Sequence, residues 1–233
     1  HKFVADYFNE NNISWTVWDY DGDFGIRTEN NINIELIESL GFNSNIKSQK
    51  LIDGENFNIP IYNDFIEKEI VEYTWSKKNS VNYFDGENPA DGDFSISWKN
   101  ADRYNYIGFD FIQNINLKSF ADDSDVKLKL FVKGNKNIKF DICFVDSKNN
   151  SENNHPNRVR YTVDANNFTF DNNWHFLEVP LKDFTEYGIW YDNKWYNPEG
   201  KFDWSKVDRL QIIAEHQNLN EVSLYFDKIS IGE

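Results

Sequence analysis

Val126-Lys127-Leu128-Lys129-Leu130-Phe131-Val132, followed by the turn Lys133-Gly134-Asn135, is the stretch whose pattern decides the fold. Val126, Leu128, Leu130 and Val132 fall at every second position, with Lys127, Lys129 and Phe131 between them. A period of two puts successive side chains on opposite faces of a strand, one apolar and one wet. Working outward, strand-like runs recur at Ile70–Trp75, Phe94–Trp98, Tyr106–Phe111, Ile138–Val145, Arg158–Val163, Trp174–Pro180, Arg209–Glu215 and Val222–Ile231. Asp85-Gly86, Asp91-Gly92 and Asp171-Asn172-Asn173 punctuate them as turns. Some nine short strands with no long helix predict a mainly β architecture, an antiparallel β-sandwich of the jelly-roll kind.

The N-terminal end reads differently. Phe3, Val4, Tyr7 and Phe8 have helical spacing, Ile13–Trp18 is strand-like, and Asp19–Gly25 is rich in turn residues. Ile34, Ile37 and Leu40 suggest a second helix, with Gly41 as its C-cap. Helix, strand, loop and helix in that order are the grammar of a (β/α)8 barrel, but too little of it to close one. The expected organisation is an incomplete barrel end over 1–42, a polar linker over 43–60 ending at Pro60, and the β-sandwich over 61–233.

Composition excludes several classes of partner. The 233 residues carry 24 Lys+Arg against 39 Asp+Glu, so the formal charge is 24 − 39 = −15. Phosphate backbones are held by clustered Lys and Arg, which argues against nucleic acid. No stretch reaches the ~18 consecutive apolar residues of a membrane-spanning helix. Cys143 is the single cysteine, so no disulfide forms within the chain, and it reads as a small buried hydrophobe. There is no Met and the chain starts at His1, which looks cut from something longer, and no signal peptide is visible. Aromatic residues reach 17%, with 8 Trp, 12 Tyr and 20 Phe, well above ordinary usage.

Two resemblances give this excess a use. Ile13-Ser14-Trp15-Thr16-Val17-Trp18-Asp19-Tyr20, with Gly22-Asp23-Phe24-Gly25-Ile26 after it, resembles the eighth barrel strand of glycoside hydrolase family 5. The resemblance implies that Trp18 forms a sugar platform in the intact parent. It also implies that two catalytic Glu residues lie upstream of His1, so this chain has no catalytic residues and is inactive alone. Asp19, Asp21 and Asp23 read as solvated loop acids.

The remaining 170 or so residues resemble the β-sandwich carbohydrate-binding modules attached to such hydrolases, with family 11 as the nearest pattern. Ser95-Ile96-Ser97-Trp98, Tyr106-Ile107-Gly108-Phe109, Phe202-Asp203-Trp204-Ser205-Lys206-Val207 and Leu224-Tyr225-Phe226-Asp227-Lys228-Ile229-Ser230-Ile231 carry it. It implies binding of a plant cell-wall β-glucan by ring faces and hydroxyl-directed hydrogen bonds, in a secreted or cell-surface setting beside an upstream hydrolase barrel.

Trp190, Tyr191, Trp195 and Tyr196 crowd a stretch read as a loop and are candidate platforms, or else a loop folded on its own aromatics. Arg158 and Arg160 share one strand face with Thr162, and with Tyr161 and Gln211 they are candidate hydrogen-bonding residues. Trp98 and Tyr104 are further candidates, and Trp75 and Tyr106 are neighbours able to extend a platform. Trp174 and Trp204 are expected in the core, and His155 and His216 on the ordinary surface. The resemblance further implies a structural Ca²⁺ between the first and last strands, with Asp227 and Asp64 as ligands and Glu67 nearby. A sandwich that only braces the barrel and binds no glycan remains the alternative.

Overall fold

The alternation over Val126–Val132 becomes the strand Lys127–Gly134, in which Leu128, Leu130 and Val132 have no exposed surface. Burying such a side chain stabilises the fold by about 1.5–3 kcal/mol. The computed structural model describes residues 57–147 and 155–233, together with a short strand pair at Arg27–Thr28 (β1) and Asn31–Ile32 (β2). In that pair Arg27 stands opposite Ile32. Trp18, the three loop acids and the expected helix–strand–helix lie outside the described residues. The chain divides into two units, His1–Leu51 and Ile52–Glu233.

The second unit is the expected antiparallel β-sandwich. Its strands are β3 (Asn58–Asn63), β4 (Phe65–Ile66), β5 (Ile70–Glu72), β6 (Val81–Asp85), β7 (Ser95–Lys99) and β8 (Tyr106–Ile115). After these come β9 (Lys127–Gly134), β10 (Phe140–Asp146), β11 (Arg158–Val163), β12 (His175–Pro180) and β13 (Thr185–Tyr187). The last four are β14 (Ile189–Tyr191), β15 (Lys194–Tyr196), β16 (Val207–Ile213) and β17 (Ser223–Gly232). One sheet has the order β13-β11-β10-β16-β8-β5. The other runs β12-β9-β17-β3-β4, with β7 also on β17 and β6 on β7. Phe140 of the first sheet meets Phe226 of the second edge-on at 5.8 Å between ring centres, and the shared core lies between the two layers.

Several strands depart from the expectation, β3 and β6 among them. β3 takes the last three positions of the stretch read as linker, and β6 was not anticipated. Pro60 had argued for a break, since it cannot donate to a ladder. It stands opposite Ser230 on one side, while β4 meets β3 only at Tyr62 and Asn63, so Pro60 faces no second strand.

The long closing strand explains Asp227. One edge of β17 follows β9, while the other pairs first with β7 through Phe226 and then with β3 from Ile229. At the gap between those partners Asp227 is fully buried, and its carboxylate accepts the N–H groups of Ala90 (2.8 Å), Asp91 (3.1 Å) and Lys228 (2.8 Å). A short loop therefore replaces the missing ladder partners.

Candidate functional site

The inward and outward alternation of the six-stranded sheet assigns every side chain on its outer face. Phe140, Ile142 and Phe144 of β10 enter the core, so Asp141, Cys143 and Val145 face outward. Pairing then builds three rows across the strands. The first runs Trp75, Tyr106, Ile213, Asp141, Thr162. The second runs Tyr73, Gly108, Gln211, Cys143, Arg160, Thr185. The third runs Val71, Asp110, Arg209, Val145, Arg158, Tyr187. Aromatic rings stand at both ends of this face and charged or amide groups fill its middle.

At the β5 end, Trp75 is 59% exposed and Tyr73 41%. Tyr73 and Tyr106 stack with ring centres 6.2 Å apart, and Arg209 lies 4.0 Å over the Tyr73 ring. Burial, and then Tyr73, push the Tyr106 phenol up to about 12, so it keeps its proton at neutral pH. Gly108 is what lets this end close. A methyl there would sit 2.2 Å from the Tyr73 carbonyl oxygen.

At the opposite end, Arg160 lies 3.4 Å over the Tyr187 ring, and Tyr187 meets Trp195 edge-on at 5.8 Å. Trp190 and Trp195 stand directly opposite each other on β14 and β15 and share one side of that hairpin. Trp190 is 64% exposed. The stretch read as a loop is thus a hairpin, turned by Asp192 and Asn193 at φ 47° and 57°. Asp and Asn tolerate that conformation better than most residues, which was the available signal. Tyr191 and Tyr196 take the other side, and Tyr196 stacks on the buried His155 at 3.8 Å. His155 is therefore no ordinary surface residue.

The middle of the face is a network of paired charges. Fully buried Asp141 accepts from Arg160 (3.1 Å), Thr162 (2.6 Å) and His216 Nε2 (3.0 Å). His216 thus belongs to this face too. Arg209 grips Asp110 with two nitrogens. Arg158, 5% exposed, donates to the Gly188 carbonyl (2.6 Å) and to Glu215 (2.7 Å). The second Glu215 oxygen is buried with no hydrogen-bond partner among the described residues. Under this layer Cys143 is fully buried, and desolvation pushes its thiol up to about 12. With the charges satisfied internally, the face presents hydrogen-bonding groups and flat rings rather than a net field. Such a lining suits a neutral polyhydroxyl ligand.

Two candidates point into the sandwich rather than onto this face. Trp98 is 1% exposed and donates its indole N–H to Ser76 (3.0 Å), so it is core. Tyr161 turns inward against Phe184, because it alternates with Arg158 and Arg160 on β11. Gln211 and Arg160 remain in the middle row, and Tyr104 is 47% exposed beside β8 with Arg103 over its ring at 4.7 Å. Sequence reasoning missed Tyr73, Tyr187, Asp110, Asp141, Arg209 and Glu215. The Tyr73-x-Trp75 spacing was legible as one strand face, but the others gain meaning only through partners far along the chain.

The two carboxylates expected as calcium ligands, Asp64 and Asp227, each accept backbone amides. Asp64 accepts the N–H groups of Asp93 (2.7 Å) and Phe94 (2.8 Å), and Asp227 holds its own three amides. Among the described residues no three His, Cys, Asp or Glu side chains converge, whereas calcium takes six to eight oxygens. Burial, in addition, raises the Asp227 carboxyl above the ordinary range. No described helix is long and apolar enough to cross a membrane.

A β-sandwich with one aromatic-flanked, internally neutralised sheet face defines a class of polysaccharide-binding domain. The chain belongs to the family Carbohydrate binding domain 30, whose model matches residues 53–233. The family is thus 30 rather than the 11 that the sequence motifs suggested. A crystal structure of a family 30 carbohydrate-binding module is similar at TM-score 0.54 and 17% identity, covering 75% of this chain and 98% of that one. The family 30 module of a Clostridium thermocellum cellulosomal cellulase gives 0.52 and 17%, covering 75% and 96%. A family 11 module from the same organism, in complex with a mixed-linked tetrasaccharide, gives 0.49 and 12%, covering 77% and 96%. No curated protein sequence matches the chain.

Proposed function

We propose that the β-sandwich binds a neutral β-linked glucan laid across the strands on the outer face of the six-stranded sheet. Its role would be to hold an upstream glycoside hydrolase on plant cell-wall polysaccharide, raising the local concentration of substrate. The observation that carries this is the pairing of Tyr73 and Trp75 at one end with Tyr187 and Trp195 at the other, around a floor whose charges are already paired. A pyranose ring has faces of C–H groups that pack on an indole or phenol ring, while its equatorial hydroxyls reach sideways to Gln211, Arg160 and His216. Six strands at ~4.8 Å spacing set the two ends roughly 24 Å apart, room for a short run of sugars rather than one. The similarity to the family 30 module of a cellulosomal cellulase points the same way, and the resemblance of residues 13–26 to a family 5 barrel strand supports the hydrolase as neighbour.

Affinity electrophoresis through gels containing mixed-linkage β-glucan, xyloglucan, glucomannan or xylan tests the proposal. Retardation in a β-glucan gel, reduced at least tenfold in affinity by Trp75→Ala and by Trp195→Ala, is expected. Unchanged mobility in every gel, with no pull-down on cellulose, would overturn it and leave a bracing module.

A further inference from the structure

The seven-stranded sheet carries a second arrangement that the first site does not use. Register places Lys133 of β9 beside Tyr225 of β17, Tyr225 beside Ser97 of β7, and Ser97 beside Asn82 of β6. Trp174, one residue before β12, continues the same row, since His175 stands opposite Val132. Trp174, Lys133, Tyr225, Ser97 and Asn82 therefore form one line across five strands, on the face opposite the core. Trp174 is thus not the core residue that the sequence suggests, and is half-buried on the outside.

This line has the composition of a sugar-contacting surface rather than of a solvated sheet face. The Trp174 indole is fixed by its N–H bond to the Asn88 carbonyl (2.9 Å) and meets Tyr225 edge-on at 6.3 Å. Lys133 Nζ lies 4.8 Å from the Trp174 ring centre and 4.2 Å from that of Tyr225. Residue 133 is only 7% exposed, and among the described residues no carboxylate approaches its ammonium within salt-bridge distance. Burial lowers its proton affinity below the ordinary lysine range, with Asp85 and Glu87 acting the other way. Its ammonium rests on two ring faces, and among the described residues no side-chain or backbone oxygen accepts from it, so its three donors are available to a ligand. Lys99 and Asp85 flank the line and are paired at 3.5 Å, so the local charge is close to balanced. The ligand that fits is a neutral pyranose, with C–H faces for the rings and hydroxyl oxygens for Lys133. Next along the sheet, Phe176, 50% exposed, and Phe131 lie 4.9 Å apart and extend the aromatic surface.

We propose that the Trp174–Lys133–Tyr225 line is a second glycan-binding surface for a neutral pyranose chain, so that the module is bivalent and joins two polysaccharide chains through its opposite faces. The ligand class rests on the glycan-binding reading of the family, but the site does not rest on the first face. The test is calorimetric titration of the whole chain with β-1,4-linked glucohexaose, in wild type, Trp75→Ala, Trp174→Ala and the double variant. Two sites per chain are expected in the wild type and one in each single variant, with none in the double variant. A single site abolished by Trp75→Ala and untouched by Trp174→Ala overturns the second surface and leaves the first standing. Binding lost with Trp174→Ala alone does the reverse, and no heat with any variant overturns both. Hydroxyl-radical footprinting of the wild-type chain guards against a Trp174 variant that fails to fold. Protection of Trp174 and Tyr225 by the hexaose supports the surface, and protection of Trp75 alone refutes it.

Discussion

Replacing Gly108 with Ala tests how the sheet positions its exposed rings. The added methyl would lie 2.2 Å from the Tyr73 carbonyl oxygen and 3.0 Å from its carbon, both backbone atoms that no rotamer change can move. Restoring ordinary contact requires the Tyr73–Trp75 segment to retreat by about 1 Å from β8. That retreat strains the bond from Tyr73 N–H to the Gly108 carbonyl (2.9 Å) and the one from Gly108 N–H to Thr74 Oγ1 (3.2 Å). With two bonds of about 1 kcal/mol weakened rather than lost and overpacking at about 1–3 kcal/mol, a stability loss of about 2–3 kcal/mol is expected. For a domain of this size that lowers Tm by roughly 5–10 °C. Binding suffers separately. Trp75 presents 59% of its surface, about 150 Å² of a large indole, and one face covers about half of that, so its loss costs about 2 kcal/mol or roughly thirtyfold in Kd. Differential scanning calorimetry and calorimetric titration with a β-glucan oligosaccharide read the two effects. Gly86→Ala is the control, because its nearest neighbours stand at 3.6 and 3.8 Å. A Gly108→Ala protein that melts and binds like wild type would refute the positioning argument.

Three further outcomes are expected. Asp141→Ala leaves the Arg160, Thr162 and His216 donors without their shared acceptor, and should cost about 3 kcal/mol, read from the urea midpoint. Trp98→Phe removes the bond to Ser76 (3.0 Å) and some core volume, lowering stability by about 1–2 kcal/mol while leaving glycan affinity unchanged, which separates core tryptophan from platform tryptophan in one titration. The Cys143 thiol should resist a disulfide reagent at pH 8 in the native state and react fully in denaturant. Because its folded value is raised from 9.0 to about 12, its contribution to stability is complete below pH 9 and is lost as pH rises through that interval. Rapid native labelling would contradict the burial.

Strand positions were largely legible because a half-buried strand writes its two faces into alternate residues. Val126–Val132 and Arg158–Val163 could be divided into inward and outward sets without knowing any partner, and β9 and β11 keep that division. The reading weakened where a feature depended on how far a strand's neighbour extends. Pro60 looked like a terminator and is an edge position, paired with Ser230 on one side only. The position of Asp227, at the gap where β7 gives way to β3, follows only from the strand partners. Trp98 and Trp75 both lie in aromatic-rich strand runs, and only the sheets show that one faces the core and the other solvent.

By itself, the sequence determined that this is an acidic, aromatic-rich β-sandwich, that Arg158 and Arg160 share a face, and that its charge balance argues against phosphate backbones. These follow from composition and from a period of two, both local properties. The tertiary structure alone decided which rings share a surface and which charges cancel. Arg209 meets Asp110 across 99 residues of chain, Arg158 meets Glu215 across 57, and His216 meets Asp141 across 75. Strand order sets those encounters, and antiparallel pairing brings distant segments side by side at ~4.8 Å without any local signal of which segment comes next.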